Sequence, residues 1–205
     1  MEALVGAREG FVQTAQCRRG KSKANKHDDE TGASFYGLSI HAQHLVFAVD
    51  SSDSMKAETS GGKTRIDLAK EQLQTAIAAL PEGSTFDVVN FGKNADSWAG
   101  VLVDADRKAR RDAHEHVGKM RLSWGTQVYE GFRAAFEDPR ADTIVLLTDG
   151  DPQITLVMDR TLIRRMLVQW NRTRHVQIDC ITIGTDRGWL RKIAEATGGR
   201  YKKVE

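Results

Sequence analysis

Apolar segments alternate with amphipathic segments along most of the chain, and the alternation begins near residue 44. The run HLVFAVD at 44–50 is short and rich in β-branched and aromatic residues, which is typical of a buried strand. The segment at 64–80 instead places its apolar residues at helical spacing, and Pro81 and Gly83 end it. The two patterns predict a strand followed by a helix that packs on it.

The same alternation continues to the end of the chain. Further strands are predicted at 84–92, 97–104, 142–150, 175–184 and 200–205, and further helices at 104–120, 128–138, 162–172 and 187–199. Strands separated by helices indicate parallel βαβ units with right-handed crossovers. We therefore predict an α/β fold, with a doubly wound, mostly parallel, Rossmann-like sheet that is flanked by helices.

The first part of the chain has a different composition. The stretch RRGKSKANKHDDETGAS is charged and nearly free of apolar residues, which favours a flexible linker. Apolar character returns from Phe35 to Ile40, and we expect this segment to dock on the domain. The sequence therefore predicts a flexible N-terminal arm at 1–34 and one domain at 35–205.

Composition and charge narrow the function classes. The chain has 205 residues, of which 40% are hydrophobic, and this suits one domain with a single core. A formal net charge of +2 gives no general argument for binding nucleic acid. No apolar run approaches the roughly 18 residues that span a bilayer, and the N-terminus lacks the apolar region of a signal peptide. We expect a monomeric domain without nucleic-acid binding or membrane insertion, and the compartment is not indicated.

Oxygen-bearing side chains lie at the ends of two predicted strands and in one loop between them. Asp50, Ser52 and Ser54 follow the first strand, Asp149 ends the central apolar strand, and Thr126 precedes a helix. Each loop alone is ordinary turn or capping chemistry. Together they fall at the carboxyl edge of a parallel sheet, where ligands bind. Because all are hard oxygen ligands, the set favours Mg²⁺ or Mn²⁺, with Ca²⁺ less favoured, and argues against zinc or copper.

These motifs resemble the metal-ion-dependent adhesion site of von Willebrand factor A domains. The resemblance rests on Asp-x-Ser-x-Ser at 50–54, Gly-Thr at 125–126 and Thr-Asp-Gly at 148–150, and it covers roughly residues 35–205. The stretch FYGLSIHAQHLVFAVDSSDSM is similar to bacterial members that are embedded in larger proteins. The resemblance implies the same Rossmann-like fold that the hydrophobic pattern predicts.

The resemblance also implies how a cation is held. Ser52 and Ser54 would coordinate it through their hydroxyls, and Thr126 would do so directly or through water. Asp50 and Asp149 would act mainly through water or by orienting the hydroxyls. The cation would then keep an open position for an Asp or Glu carboxylate from a protein partner. The implied function is a non-enzymatic, metal-dependent module for protein binding or adhesion.

Three neighbouring residues are predicted to lie on the partner-binding surface: Asp53, Trp124 and Asp151. The family commonly has Gly where this chain has Asp53. Asp tolerates the backbone angles that Gly favours, so the loop can form, and the extra carboxylate either approaches the cation or points to solvent. Asp151 raises the same question on the neighbouring loop. Trp124 lies two residues before Thr126 and is a candidate for direct contact with the partner.

Two alternatives stay open. The first is a hydrolase that uses the metal to activate water, although such enzymes usually anchor the ion with several carboxylate or imidazole ligands. The second is a structural scaffold whose site binds no metal, for which Asp53 is the best support.

The segment at 61–64 resembles the end of a phosphate-binding loop, but Ala57 stands where that pattern requires Gly. Thr64 is therefore predicted to cap a helix.

Overall fold

The computed structural model describes residues 33–153 and 155–205. The predicted arm at 1–34 lies outside the described residues, apart from Ala33 and Ser34, and stays a prediction. Cys17 also lies outside them, whereas Cys180 is a free thiol buried in the domain.

Strands and helices alternate in the described residues as the hydrophobic pattern predicts. The strands are β1 (Ser34–Phe35), β2 (Leu38–Ser39), β3 (His44–Asp50), β4 (Thr85–Phe91), β5 (Ala95–Ser97), β6 (Val103–Asp104), β7 (Thr143–Thr148), β8 (Gln177–Ile183) and β9 (Tyr201–Val204). The helices are α1 (Arg65–Ala78), α2 (Arg107–Lys119), α3 (Val128–Ala135), α4 (Arg160–Trp170) and α5 (Gly188–Ala196). A 3₁₀ turn at Asp53–Lys56 follows β3.

The main sheet has the strand order β5-β4-β3-β7-β8-β9, with β6 also paired to β4. Strands β4, β3, β7, β8 and β9 run parallel to one another. The short strands β5 and β6 run antiparallel to β4. The predicted Rossmann-like, mostly parallel sheet is confirmed. Because β3 has β4 on one side and β7 on the other, the strand order reverses at β3, and ligands bind at such a switch point.

The single strand predicted at 97–104 is wrong in detail, because β5 and β6 divide this region. Gly100 adopts a φ of 74°, which breaks the extended conformation. The buried carboxylate of Asp87 accepts hydrogen bonds from the Ser97 hydroxyl at 2.5 Å and from the Ala99 N–H at 3.0 Å. These bonds turn the chain between the two short strands.

Two apolar cores cover the two faces of the sheet. Leu45, Phe47 and Val49 of β3 belong to the core formed with α1 and α2. Val46 and Ala48 belong to the core formed with α3, α4 and α5. Successive side chains of a strand point to opposite faces, so a central strand buried on both sides is apolar almost throughout.

The leading hairpin packs on the first of these cores. Strands β1 and β2 pair antiparallel, and the Phe35 side chain is fully buried. Its ring lies 5.5 Å from the ring of Phe47 in an edge-on arrangement, which aromatic pairs favour. The predicted docking of this segment is therefore confirmed.

Helix α1 begins immediately after the loop that follows β3. The Thr64 hydroxyl accepts a hydrogen bond from the Asp67 N–H at 3.2 Å, which confirms the predicted N-cap. This cap fixes Arg65 as the first residue of the helix, next to the carboxyl edge of the sheet.

Replacing Leu73 with Ala tests the contribution of the α1 core. Its side chain is fully buried, so we expect Leu73→Ala to lower the free energy of unfolding by about 2–5 kcal/mol. Leu162→Ala is the matched control, because Leu162 is 45% exposed and should lose less than about 0.5 kcal/mol. Urea denaturation measures both values, and equal losses would show that the core is assigned incorrectly.

Candidate metal site

The ends of β3 and β7 lie side by side. Thr148 is the last residue of β7, and its hydroxyl donates to Asp50 Oδ2 at 2.5 Å. The Ser52 N–H donates to Asp50 Oδ1 at 2.8 Å. Both oxygens of this fully buried carboxylate are therefore held by neutral donors.

A chain of hydroxyls connects the loop after β3 to the loop after β7. The Ser54 hydroxyl donates to Asp149 Oδ1 at 2.6 Å, and the Ser52 and Ser54 hydroxyl oxygens are 3.0 Å apart. Because the single proton of Ser54 is directed to Asp149, Ser52 donates to Ser54. Each hydroxyl oxygen keeps lone-pair capacity, which is what a hard cation requires.

Thr126 comes from a third loop and reaches the same place. Its backbone N–H and C=O pair with Gln153 at 2.9 and 3.1 Å, which joins its loop to the loop after β7. A Cβ atom at Gly150 would lie 3.8 Å from Thr126 Oγ1 and 4.0 Å from Ser54 Oγ. Both hydroxyls therefore approach the backbone of Gly150, and the structure brings the five predicted metal ligands to one edge.

The close approach of the loops depends on Gly92, the residue after β4. A Cβ atom there would lie only 2.2 Å from Ser123 Oγ and 3.2 Å from Ser51 Oγ. The Ser123 N–H donates to the Ser51 carbonyl at 2.8 Å across this contact. A side chain at residue 92 would force the Ser123 hydroxyl to move, so glycine favours the close packing of the loop that carries Thr126 on the loop that carries Ser52.

The donor set fits a hard divalent cation and does not fit zinc. Residues 33–153 and 155–205 contain no group of three or more His, Cys, Asp or Glu side chains arranged to hold a metal. This edge offers two carboxylates and three hydroxyls instead. Oxygen donors of this kind suit Mg²⁺ and Mn²⁺, which retain several waters.

Burial changes the acidity of Asp50. It raises the pKa of this carboxyl from 3.8 to about 6, although hydrogen bonds from Ser52 and Thr148 act in the opposite direction. Asp149 adds a smaller contribution of the same sign as burial, because it places a second negative charge nearby. A cation bound at this edge would stabilise the ionised form of Asp50.

Two residues of the site were missed in the sequence. Thr148 was noted only as part of the Thr-Asp-Gly motif, although it holds Asp50 directly. Arg65 was not noted at all, yet its Nη1 donates to Asp149 Oδ2 at 2.6 Å. The signal available in the sequence was a positively charged residue at the first position of the helix that follows the Ser-rich loop.

The predicted partner-surface residues Asp53 and Trp124 are both exposed. Asp53 begins the 3₁₀ turn and has no positive φ, so Asp in place of Gly introduces no backbone strain here. Trp124 is 47% exposed, and the Lys93 ammonium lies 5.5 Å from the centre of its ring. This distance allows a cation–π contact that holds the indole at the surface.

Asp151 is positioned differently from the other two. Its carboxylate pairs with Arg160 at 2.9 Å and with Arg187 at 3.0 Å, and it accepts from the Trp189 Nε1–H at 3.0 Å. The side chain is 22% exposed. Its charge is therefore compensated inside the domain, and Asp151 contributes less to the accessible surface than the sequence predicted.

A mostly parallel, doubly wound sheet with helices on both faces defines an α/β domain of the Rossmann-like class. The profile of the von Willebrand factor type A domain matches residues 43–203. The chain belongs to this family, as the sequence motifs predicted. Domains of this family commonly mediate protein–protein interaction and are generally non-enzymatic.

Individual relatives match part of this chain. Inter-alpha-trypsin inhibitor heavy chain H1 of Mesocricetus auratus is 28% identical over 127 residues, which cover 56% of this chain and 13% of that protein. Human von Willebrand factor A domain-containing protein 3A is 27% identical over 121 residues, with 57% and 10% covered. The solved structure of a von Willebrand factor type A protein from Catenulispora acidiphila has a TM-score of 0.67 and 27% identity, and covers 80% of this chain and 38% of its own. This chain thus matches a small part of each curated relative.

No helix in the described part of the chain is long and apolar enough to cross a membrane.

Replacing Asp50 with Asn tests the cost of its buried charge. A pKa raised on folding means that the folded state binds the proton more tightly, so stability falls as the pH rises from about 4 to about 6 and is constant above. Asp50→Asn removes the charge. Its Oδ1 still accepts from the Ser52 N–H, and its amide nitrogen donates to the Thr148 hydroxyl oxygen, which reverses the direction of that hydrogen bond. We expect the substitution to raise the free energy of unfolding near pH 7.5 by about 3 kcal/mol, and this gain should shrink toward pH 4.

Urea denaturation in EDTA at both pH values measures this difference. A variant that is less stable than the wild type near pH 7.5 would show that the ionised carboxylate supports the fold.

Proposed function

We propose that this domain binds Mg²⁺ or Mn²⁺ and, through it, an acidic side chain of a protein partner. The residues that would hold the cation are Asp50, Ser52, Ser54, Thr126 and Asp149. The observation that carries the proposal is the hydroxyl chain from Ser52 through Ser54 to Asp149. In this series of hydrogen bonds the hydroxyl protons of Ser52 and Ser54 point toward the Asp149 carboxylate. This direction leaves lone pairs of the hydroxyl oxygens free for a cation.

The donor set also supports an acidic ligand. Hydroxyls are neutral, and a cation held mainly by neutral donors keeps more of its positive charge than one surrounded by carboxylates. When bound, the ion supplies that charge to a carboxylate from the partner. Asp149 positions the Ser54 hydroxyl, and Thr148 positions Asp50, so each carboxylate of the edge is held in place by hydrogen bonds.

A single metal–carboxylate contact does not give tight binding, so the surrounding surface must contribute. Six large apolar side chains are exposed in the described part of the chain. Four of them lie on the loops of this edge or in the first turn of α4: Trp124, Leu156, Met158 and Leu162. Exposed apolar side chains gathered in one region indicate an interaction surface.

The loop that carries Leu156 is held by hydrogen bonds to a side chain of α3. Glu130 of α3 is 7% exposed, and its carboxylate accepts from the Thr155 hydroxyl at 2.5 Å and from the Leu156 N–H at 3.1 Å. The loop is thus held while Leu156 itself is 83% exposed. Holding an apolar side chain in place before binding reduces the entropy lost on association.

Metal binding is tested by calorimetric titration of the purified domain with Mg²⁺ and Mn²⁺. We expect saturable binding in the wild type and at least about tenfold weaker binding in Ser52→Ala with Ser54→Ala, because two coordinating hydroxyls are lost. Ser60→Ala changes an exposed serine of the same loop and should bind as the wild type does. No binding in the wild type would favour a scaffold without metal, and hydrolysis of generic phosphoesters that EDTA abolishes would favour the hydrolase.

The partner surface is tested by retention of proteins on the immobilised domain in Mg²⁺ and in EDTA. We expect proteins that are retained only in Mg²⁺, and we expect Leu156→Ala with Met158→Ala to lose most of them. Val101→Ala is the control, because Val101 is 53% exposed and precedes β6, which pairs with the start of β4 at the other end of the sheet. Equal retention by all variants would remove the apolar loop from the interface.

A further inference from the structure

The two carboxylate oxygens of Asp149 accept from two donors of different charge. Its side chain is 0% exposed, with Oδ1 bound by the neutral Ser54 hydroxyl and Oδ2 bound by the Arg65 guanidinium. The Arg65–Asp149 distance of 2.6 Å is that of a charge-assisted hydrogen bond. The Arg65 side chain is only 24% exposed, so solvent screens this pair less than it screens a surface pair.

The negative charges of Asp50 and Asp149 are therefore compensated to different degrees. Asp149 is paired with a cation of the protein, whereas the donors to Asp50 are the Thr148 hydroxyl and the Ser52 N–H, both neutral. With Asp50 ionised, Asp50, Asp149 and Arg65 together carry two negative charges and one positive charge. Arg187, which donates to the Asp149 carbonyl at 2.9 Å, is itself paired with Asp151. Arg65 thus already neutralises part of the negative charge that would attract a divalent cation.

The surroundings of Arg65 are shaped around its guanidinium. Gly184 directly follows β8, and a Cβ atom there would lie 2.6 Å from Arg65 Nη2 and 3.2 Å from Cζ. The backbone of Gly184 has a φ of 79°, which also favours glycine. Arg65 is moreover the first residue of α1, where the helix dipole disfavours a positive charge. Its position is therefore set by Asp149 and not by helix preference.

We propose that Arg65 weakens the binding of the cation alone and makes cation binding depend on the partner's carboxylate. This inference rests on the proposed metal-dependent function. With Arg65 present, the three residues Asp50, Asp149 and Arg65 and a divalent cation together carry one excess positive charge, which an incoming carboxylate neutralises. Without Arg65, the two carboxylates would neutralise the cation, and a further anion would gain less. Coupling of this kind is reciprocal, so the carboxylate ligand would also bind more tightly when the cation is present.

The experiment is a calorimetric titration of the apo domain with Mn²⁺, in the absence and presence of excess acetate as the carboxylate probe. We expect Arg65→Gln to bind Mn²⁺ about tenfold more tightly than the wild type, which corresponds to about 1.4 kcal/mol. Acetate should strengthen Mn²⁺ binding to the wild type more than it strengthens binding to this variant. Arg65→Lys keeps the charge and should stay within about threefold of the wild type.

Thermal unfolding of the apo proteins separates this role from simple structural support. Arg65→Gln should lower the midpoint in EDTA, because Asp149 then remains buried without its counter-charge. A residue that only supports the site would lower apo stability and metal affinity together, whereas we expect opposite signs. Arg200→Gln is the matched control, since Arg200 pairs with Asp179, whose side chain is 1% exposed. It should lose stability and keep the Mn²⁺ affinity of the wild type.

The possible failures are distinguishable. A wild-type domain that binds no Mn²⁺ would refute the proposed function itself. If the wild type binds Mn²⁺ and Arg65→Gln binds it equally or more weakly, the role of Arg65 is refuted while the proposed function stands. Arg65→Lys binding as tightly as Arg65→Gln would also refute it, because the charge would then have no effect.

Discussion

The buried contact between Thr148 and Asp50 joins the ends of two parallel strands, and the geometry of the whole edge depends on it. Strands β3 and β7 pair in register up to Val49 and Leu147, so the next residues of both strands emerge side by side. The Thr148 hydroxyl then fixes the Asp50 carboxylate, and the loop after β3 folds back onto Asp149 through Ser54. A displacement of either strand would separate the hydroxyls from the carboxylates. The site is therefore only as well ordered as the sheet beneath it.

The two carboxylates at this edge show how a fold can hold charge in its interior. Asp149 is stabilised by the ion pair with Arg65, whereas Asp50 is buried with neutral donors and has a pKa raised to about 6. Burying an ionised group without a counter-charge costs stability, and that cost is common where a group serves binding instead of folding. The sheet tolerates it because apolar side chains cover both of its faces. In the proposed metal site, charge compensation at one carboxylate and its absence at the other would also set how strongly the edge attracts a cation.

Membership of the von Willebrand factor type A family describes the scaffold better than the surface. The strands and their order are shared, while the loops at the carboxyl edge carry the residues on which a partner would act, including Trp124 and Leu156. Such loops can vary without disturbing the sheet, because their side chains contribute little to the two cores. Asp53 illustrates this freedom, since the 3₁₀ turn accommodates it without backbone strain. The chain matches only a small part of its curated relatives, so their partners do not carry over to it.

The sequence alone determined the order of strands and helices, the parallel sheet and the five oxygen-bearing residues that meet at one edge. The elements follow from local periodicity, and the rule that parallel strands end at the same edge places Asp50 and Asp149 together. Thr126 follows no strand, and its place in the set was implied by the resemblance to the von Willebrand factor A motif. The tertiary structure alone decided which charges are compensated. Arg65 reaches Asp149 across 84 residues, Thr148 reaches Asp50 across 98, and Asp151 is paired with Arg187 across 36. The division of 97–104 into two strands likewise depends on the buried Asp87 carboxylate. Contacts of this kind leave no periodic signal in the chain, because they arise only when separate elements pack and remove their polar groups from water.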